Sequence, residues 1–221
     1  MLKNLIKFTG LVGGATLLAG PAMAEVSSET AYVFNTFLFL VCGFLVMFMA
    51  AGFAMLESGM VRSKNAATIC LKNISLFSIA GLMYWLVGYN LMYGVEEGGY
   101  VGAFFDIWSA DDSAIAAEEA DFSGGYASGS DWYFQMVFCA TTASIVSGTV
   151  AERMKLWPFL IFTLFLTGFI YPIVGGWEWG TGWLDAMGFS DFAGSTLVHS
   201  TGGWAALAGA VILGARTGKY G

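Results

Sequence analysis

The chain has 221 residues, of which 57% are hydrophobic and only 11% charged, with a formal net charge of −7. A soluble domain carries about 25% charged residues, so this composition points to a membrane protein. The absence of any basic patch on an acidic chain excludes nucleic acid as a partner.

The N-terminus has the layout of a cleavable secretory signal. Lys3 and Lys7 form a basic region, residues 8–19 a short apolar core, and Ala22-Met23-Ala24 a small-x-small cleavage pattern. The core is short for a membrane crossing. Residues 1–24 are therefore expected to be removed, leaving a mature chain 25–221 that starts outside the cytoplasm.

Apolar runs follow at 31–56, 66–93, 132–150, 156–174 and 192–214. Each is close to the ~20 residues a helix needs to cross a bilayer, and backbone groups in lipid must be paired internally, which makes them helices. The predicted fold class is an all-α polytopic membrane protein with five transmembrane helices. Arg62 and Lys64 follow the first run, Arg153 and Lys155 the third, and Arg216 and Lys219 the fifth. With alternating crossings these lie on one side, which the positive-inside rule makes cytoplasmic. Lys72 lies inside the second run near that side, so it is expected to snorkel to the interface.

The second and third runs are separated by a long acidic loop, 94–131, interleaved with Gly and Ser. It reads either as a cation-concentrating entrance or as a solvated linker. Cys42, Cys70 and Cys139 fall inside apolar runs, away from the loops that disulfides staple, and read as small buried hydrophobes. With one histidine and no C-x-x-C, no metal ligand set is present and no cofactor is expected.

Aromatic residues gather at the expected outer side. Trp132, Tyr133, Phe134 and Phe138 open the third run; Phe134 and Phe138, four apart, share a helical face. Trp177, Trp179 and Trp183 precede the fifth run. An interfacial belt explains most such residues; an aromatic cage for a small cation is the alternative. Phe138 lies one turn deeper than a belt residue should.

The fifth run holds the only histidine, His199. A titratable ring at that depth marks a functional site by default. Ser195, Thr196, Gly202 and Gly203 share its face at helical spacing, and Gly202, Ala206, Ala210 and Gly214 form a small-xxx-small row that permits close helix contact. His199 thus lines a narrow lumen or is hydrogen-bonded between helices. Asp191, opening the same run, reads as a helix cap, with a cation-binding carboxylate as the sharper alternative.

Four blocks carry a family resemblance: residues 50–65, Phe134-Gln-Met-Val-Phe138 with residues 144–153, residues 171–180, and residues 191–216. In order and extent they resemble the N-terminal half of an ammonium transporter of the Amt/Mep/Rh family. The resemblance implies the first inverted repeat of an eleven-helix fold, a chain truncated before the second repeat, and a homotrimer with one pore per subunit. Phe138 then matches an outer gate, Phe134 its neighbour and Trp179 the lining of an external recruitment site. His199 matches the first of two facing pore histidines, and Asp191 a structural acid near the site. The implied function is transport of ammonium/ammonia, or methylammonium, through a hydrophobic pore in the cell membrane, with a PII-type regulator as a cytoplasmic partner. An ammonium sensor of the same family is the alternative. An intramembrane enzyme built on His199 and Asp191 lacks a second titratable group beside His199.

Overall fold

The computed structural model describes residues 26–218, so the expected signal segment at 1–24 and Lys219 lie outside the described residues. Helices account for the regular structure there. We number them α1 (Ser28–Met60), α2 (Ser63–Tyr93), α3 (Ser128–Thr149), α4 (Leu156–Gly176), α5 (Trp183–Ala186) and α6 (Ser195–Leu213). Helices α1, α2, α4 and α6 are long and apolar enough to cross a bilayer. The third long run in chain order differs: α3 has 22 residues, enough for about 33 Å, but it carries Asp131, Gln135, Thr141, Thr142, Ser144 and Ser147.

The apolar character of these helices is inverted relative to a soluble bundle. Helix α1 starts at Ser27, whose Oγ accepts from Thr30 N at 3.2 Å. It then turns Phe34, Phe37, Phe44 and Phe48 outward, leaving an apolar face suited to lipid or to another subunit. The more polar α3 is the buried axis, packed by α1, α2 and α6. It tolerates that position because its hydroxyls bond back to carbonyls one turn earlier: Thr141 to Val137 at 2.8 Å, Thr142 to Phe138 at 3.2 Å and Ser144 to Ala140 at 3.3 Å.

Three wide, π-helical turns interrupt the long helices at Tyr84–Gly88, Leu166–Ile170 and Ser195–Ser200. The first two face each other: a Cβ on Gly88 would sit 3.3 Å from the Thr167 carbonyl. Pro172, just beyond the turn in α4, has no N–H to give, and local widening is a common way to absorb such a residue in a membrane helix. The third turn reorganises the His199 region. His199 N and Val198 N both donate to the Gly194 carbonyl at 3.0 Å, so the regular spacing expected there is broken. Gly202 is pressed against Ile145 and the Thr142 carbonyl, whereas Gly203 faces open space. The close contact with α3 runs through Gly202, Ala206 and Gly209, and Gly214 lies beyond the helix at φ 68°.

Two further expectations are corrected. Cys139 is buried, but Cys42 is only half-buried and Cys70 is exposed. Lys72 does not snorkel. It is buried, with Nζ 2.7 Å from the Ser147 carbonyl, 3.5 Å from Glu57 Oε2 and 5.0 Å above the Phe159 ring. The reason is that α1 runs on to Met60, which carries Glu57 into the helix and opposite Lys72. Two buried charges that pair cost far less than either alone.

The basic residues converge at one end. Glu152, in the α3–α4 turn at φ 62°, accepts from Arg62 N at 3.0 Å, Arg62 Nε at 3.1 Å, Asn65 Nδ2 at 2.5 Å and Arg216 Nη1 at 3.4 Å. Arg153 closes the knot on the Gly214 and Thr149 carbonyls. The Arg62 backbone donor, then Asn65 and the Arg62 guanidinium, hold the Glu152 carboxyl down at about 2. We call this the basic end. The acidic segment between α2 and α3 lies at the other. It is irregular but anchored, through Asn35 Nδ2 to the Gly125 carbonyl at 3.0 Å, Ala127 N to Thr36 Oγ1 at 2.9 Å and Trp108 N to the Trp85 carbonyl at 3.0 Å.

Candidate functional site

At the end opposite the basic knot, α1, α2, α3 and the α4–α6 connection surround a cavity of about 380 Å³. Its walls are aromatic: Phe39, Tyr89, Tyr93, Phe134, Phe138 and Trp179. The rings form a chain. Phe39 stacks on Phe134 at 5.3 Å, Phe134 meets Phe138 edge-on at 5.1 Å, and Phe138 meets Trp179 edge-on at 5.6 Å. The three aromatic residues singled out from the sequence, Phe134, Phe138 and Trp179, thus line one cavity. Trp177 and Trp183 do not join them; they pack on each other and on Tyr100.

Two polar side chains complete the cavity, and sequence reasoning missed both. Asp131 is buried and its Oδ2 accepts from the Tyr89 hydroxyl. Gln135 presents a buried Oε1 that has no hydrogen-bond donor. A signal existed: Asp131, Gln135 and Phe138 are spaced i, i+4, i+7 and so share a helical face. The apolar run that marks this helix begins only at Trp132, which puts Asp131 with the acidic loop, whereas α3 begins at Ser128. Aromatic faces, a carboxylate and a free amide oxygen together suit a small cation that donates hydrogen bonds.

Trp179 is fixed by its indole N–H, which donates to the Asp191 carbonyl at 2.7 Å. The Asp191 side chain is wholly engaged by the start of α6. Oδ1 accepts from Gly194 N at 2.8 Å and Ser195 N at 3.0 Å; Oδ2 accepts from Thr196 N at 2.7 Å and Leu197 N at 2.8 Å. Burial pushes this carboxyl up, but the four backbone donors outweigh it and leave it below its ordinary value. Gly194, at φ 87°, permits the sharp entry, and a Cβ there would be 2.6 Å from Val198 and 3.3 Å from the Trp179 ring.

His199 is not among the residues lining the aromatic cavity. It sits in the wide turn of α6 with its side chain exposed. Its neighbour Val198 belongs to the buried cluster against which Phe138 and Trp179 pack. One face of α3 passes from Phe134 and Phe138 through Thr142 and Ile145, where Gly202 of α6 is seated, to Gly148 and Thr149. His199 lies one turn before Gly202 along this seam. Among the described residues, no group of His, Cys, Asp and Glu is arranged to hold a metal ion.

Comparison with known proteins gives a uniform result. The model of a family described as the Ammonium Transporter Family matches residues 37–221. A Synechocystis relative is 44% identical over 210 residues, covering 93% of this chain and 46% of the relative. Ammonium transporter Amt2 of Archaeoglobus fulgidus is 40% identical over 217 residues, covering 93% of this chain and 44% of that protein. A solved structure titled Sensor Amt Protein superposes with a TM-score of 0.72 at 37% identity, over 85% of this chain and 46% of that one. The chain spans about half the length of the relatives it matches.

Proposed function

We propose, from the premise that this chain belongs to the ammonium transporter family, that it builds one side of a transmembrane path for ammonium/ammonia. The family is one of transporters, and the chain is a multi-pass membrane protein. In this reading α3 is a fifth crossing beside the four apolar helices, residues 1–24 are a cleaved signal, and the basic end faces the cytoplasm. The aromatic cavity then opens outside.

The observation that carries the proposal is the cavity in which Phe134, Phe138 and Trp179 meet Asp131 and Gln135. Moving a bare cation into hydrocarbon is very costly. Ring faces offset part of that cost, about 0.5–2 kcal/mol each. The Asp131 carboxylate and the Gln135 oxygen replace lost hydration with acceptors. Below the cavity the α3 face runs through Thr142, whose hydroxyl is engaged by the Phe138 carbonyl, and Ile145, an uncharged lining that favours the neutral base over the cation. Ammonium there gives up one proton and continues as ammonia. An imidazole is the side chain suited to take that proton, and His199 is the candidate, with a facing histidine from outside this chain expected to pass it on. Asp191 acts on position only, by fixing the start of the His199 helix and the Trp179 indole.

A homotrimer, with the exposed aromatic face of α1 toward lipid or a neighbouring subunit, and a PII-type regulator at the basic end belong to the same proposal. The likeness to the structure titled Sensor Amt Protein favours one second reading, in which occupancy of the site is signalled without flux. The test is made on the complete reading frame containing residues 1–221, in a host stripped of its own ammonium transporters. Growth on scarce ammonium and an ammonium-evoked current in membrane vesicles are the expected results. Binding without growth or current would replace transport by sensing, and neither would end both readings.

A further inference from the structure

The α3 face that begins in the aromatic cavity ends, toward the basic end, in a second cavity of about 310 Å³. Phe53, Glu57, Ile145, Gly148, Thr149 and Arg216 are among the residues lining it. Glu57 is its unusual member. The side chain is 3% exposed, and its two oxygens are treated differently. Oε2 accepts from Ser147 Oγ at 2.8 Å and Asn73 Nδ2 at 3.3 Å, and lies 3.5 Å from Lys72 Nζ. Oε1 has no donor at all. It faces Gly148, where a Cβ would sit 3.9 Å away and only 3.3 Å from Glu57 Cγ. The lack of a side chain on this residue of α3 lets Glu57 pack directly against the helix backbone.

A buried carboxylate kept only to neutralise Lys72 would have both oxygens paired, since an unpaired buried acceptor is destabilising. Lys72 does not monopolise Glu57, because its ammonium is also held by the Ser147 carbonyl and lies over Phe159. Arg216, the other charge at this cavity, is tied to the Met60 carbonyl and Glu152. Oε1 is thus a buried acceptor without a donor, on a residue that lines a cavity reached along the same helix face as the aromatic site.

We infer that Glu57 Oε1 is a second binding position for a small hydrogen-bond-donating cation of the ammonium class, at the basic end of the path. The inference rests on the transport reading above and adds to it an exit-side site. Its proper test separates cation binding from neutralisation of Lys72. The double variant Glu57→Gln/Lys72→Met removes both buried charges together. It is compared with the unaltered protein, expressed from the complete reading frame, in right-side-out and inside-out vesicles. The expected result is normal assembly and a half-saturating ammonium concentration raised about tenfold when ammonium is applied from the basic-end side, as loss of one charge-assisted contact implies, and unchanged from the other side. Half-saturation unchanged from the basic-end side, or raised equally from both sides, would mean that Oε1 holds no more than water, and would overturn the inference while leaving the transport reading intact. Absence of current in the unaltered protein would instead overturn the transport reading itself. If the double variant does not assemble, Gly148→Ala covers Oε1 with both charges in place. The same one-sided rise is expected, and no change would overturn the inference.

Discussion

Asp191 and Glu57 sit at opposite ends of the molecule, each at a helix end and each almost wholly buried, yet their surroundings differ. Asp191 spends every oxygen on the first backbone N–H groups of α6. Glu57 spends one oxygen on Asn73, Ser147 and Lys72 and leaves the other without a donor. A buried acid with every acceptor position filled has nothing left to offer a ligand, so its role is to hold shape. An acid with an idle oxygen beside a cavity retains binding capacity. On the roles proposed above, hydrogen-bond accounting, more than burial or charge, separates the structural acid from the functional one.

The largest expected effect breaks the Glu57 side of the comparison. Lys72→Met alone leaves the carboxylate buried without its cation, and should destabilise the protein by about 3–5 kcal/mol. The unfolding midpoint of detergent-purified protein measures this, and Glu57→Gln added to Lys72→Met should recover most of the loss. An unaltered midpoint for the single variant would mean that the two charges do not depend on each other. On the other side, Asp191→Ala leaves four backbone donors without their partner and should cost about 3 kcal/mol by the same measurement. Current and stability should fall together in that variant, because the acid acts only through the position of α6 and Trp179. A smaller effect is expected in the aromatic cavity. Phe138→Ala or Trp179→Ala should raise half-saturation for outside ammonium by about 2- to 30-fold, the equivalent of roughly 0.5–2 kcal/mol, with little change in the unfolding midpoint. The smallest concerns the basic knot. The folded Glu152 carboxyl titrates at about 2, below its ordinary 4.5. Its contribution is therefore complete above pH 4.5 and is lost as pH falls toward about 2. Unfolding midpoints followed between about pH 6 and pH 3 should fall less steeply for Glu152→Gln than for the unaltered chain.

Much of the fold was legible because length and apolarity are properties of single segments. The runs at 31–56, 66–93, 156–174 and 192–214 correspond to α1, α2, α4 and α6, with ends displaced by a few residues. Those displacements mattered. Carrying α1 on to Met60 moved Glu57 from a loop into a helix, and starting α3 at Ser128 moved Asp131 from a loop into a cavity wall. The Glu57–Lys72 pair was not legible, because it joins two helices and depends on which faces meet. A useful signal was present all the same: one base inside an apolar run and one acid at the end of another are cheapest when paired. The wide turn at Ser195–Ser200 was equally hidden, since it changes helical spacing without any distinctive residue. The small residues that follow it divide between a packed face at Gly202 and an open one at Gly203.

His199 is proposed above as the proton acceptor on a path that begins at Phe138 and Trp179. The most direct test is the ammonium-evoked current of His199→Ala in vesicles, expressed from the complete reading frame and normalised to the amount of assembled protein. The account predicts assembly and an unfolding midpoint close to those of the unaltered protein, with the current lost. A current of unaltered size and half-saturation in that variant would contradict it.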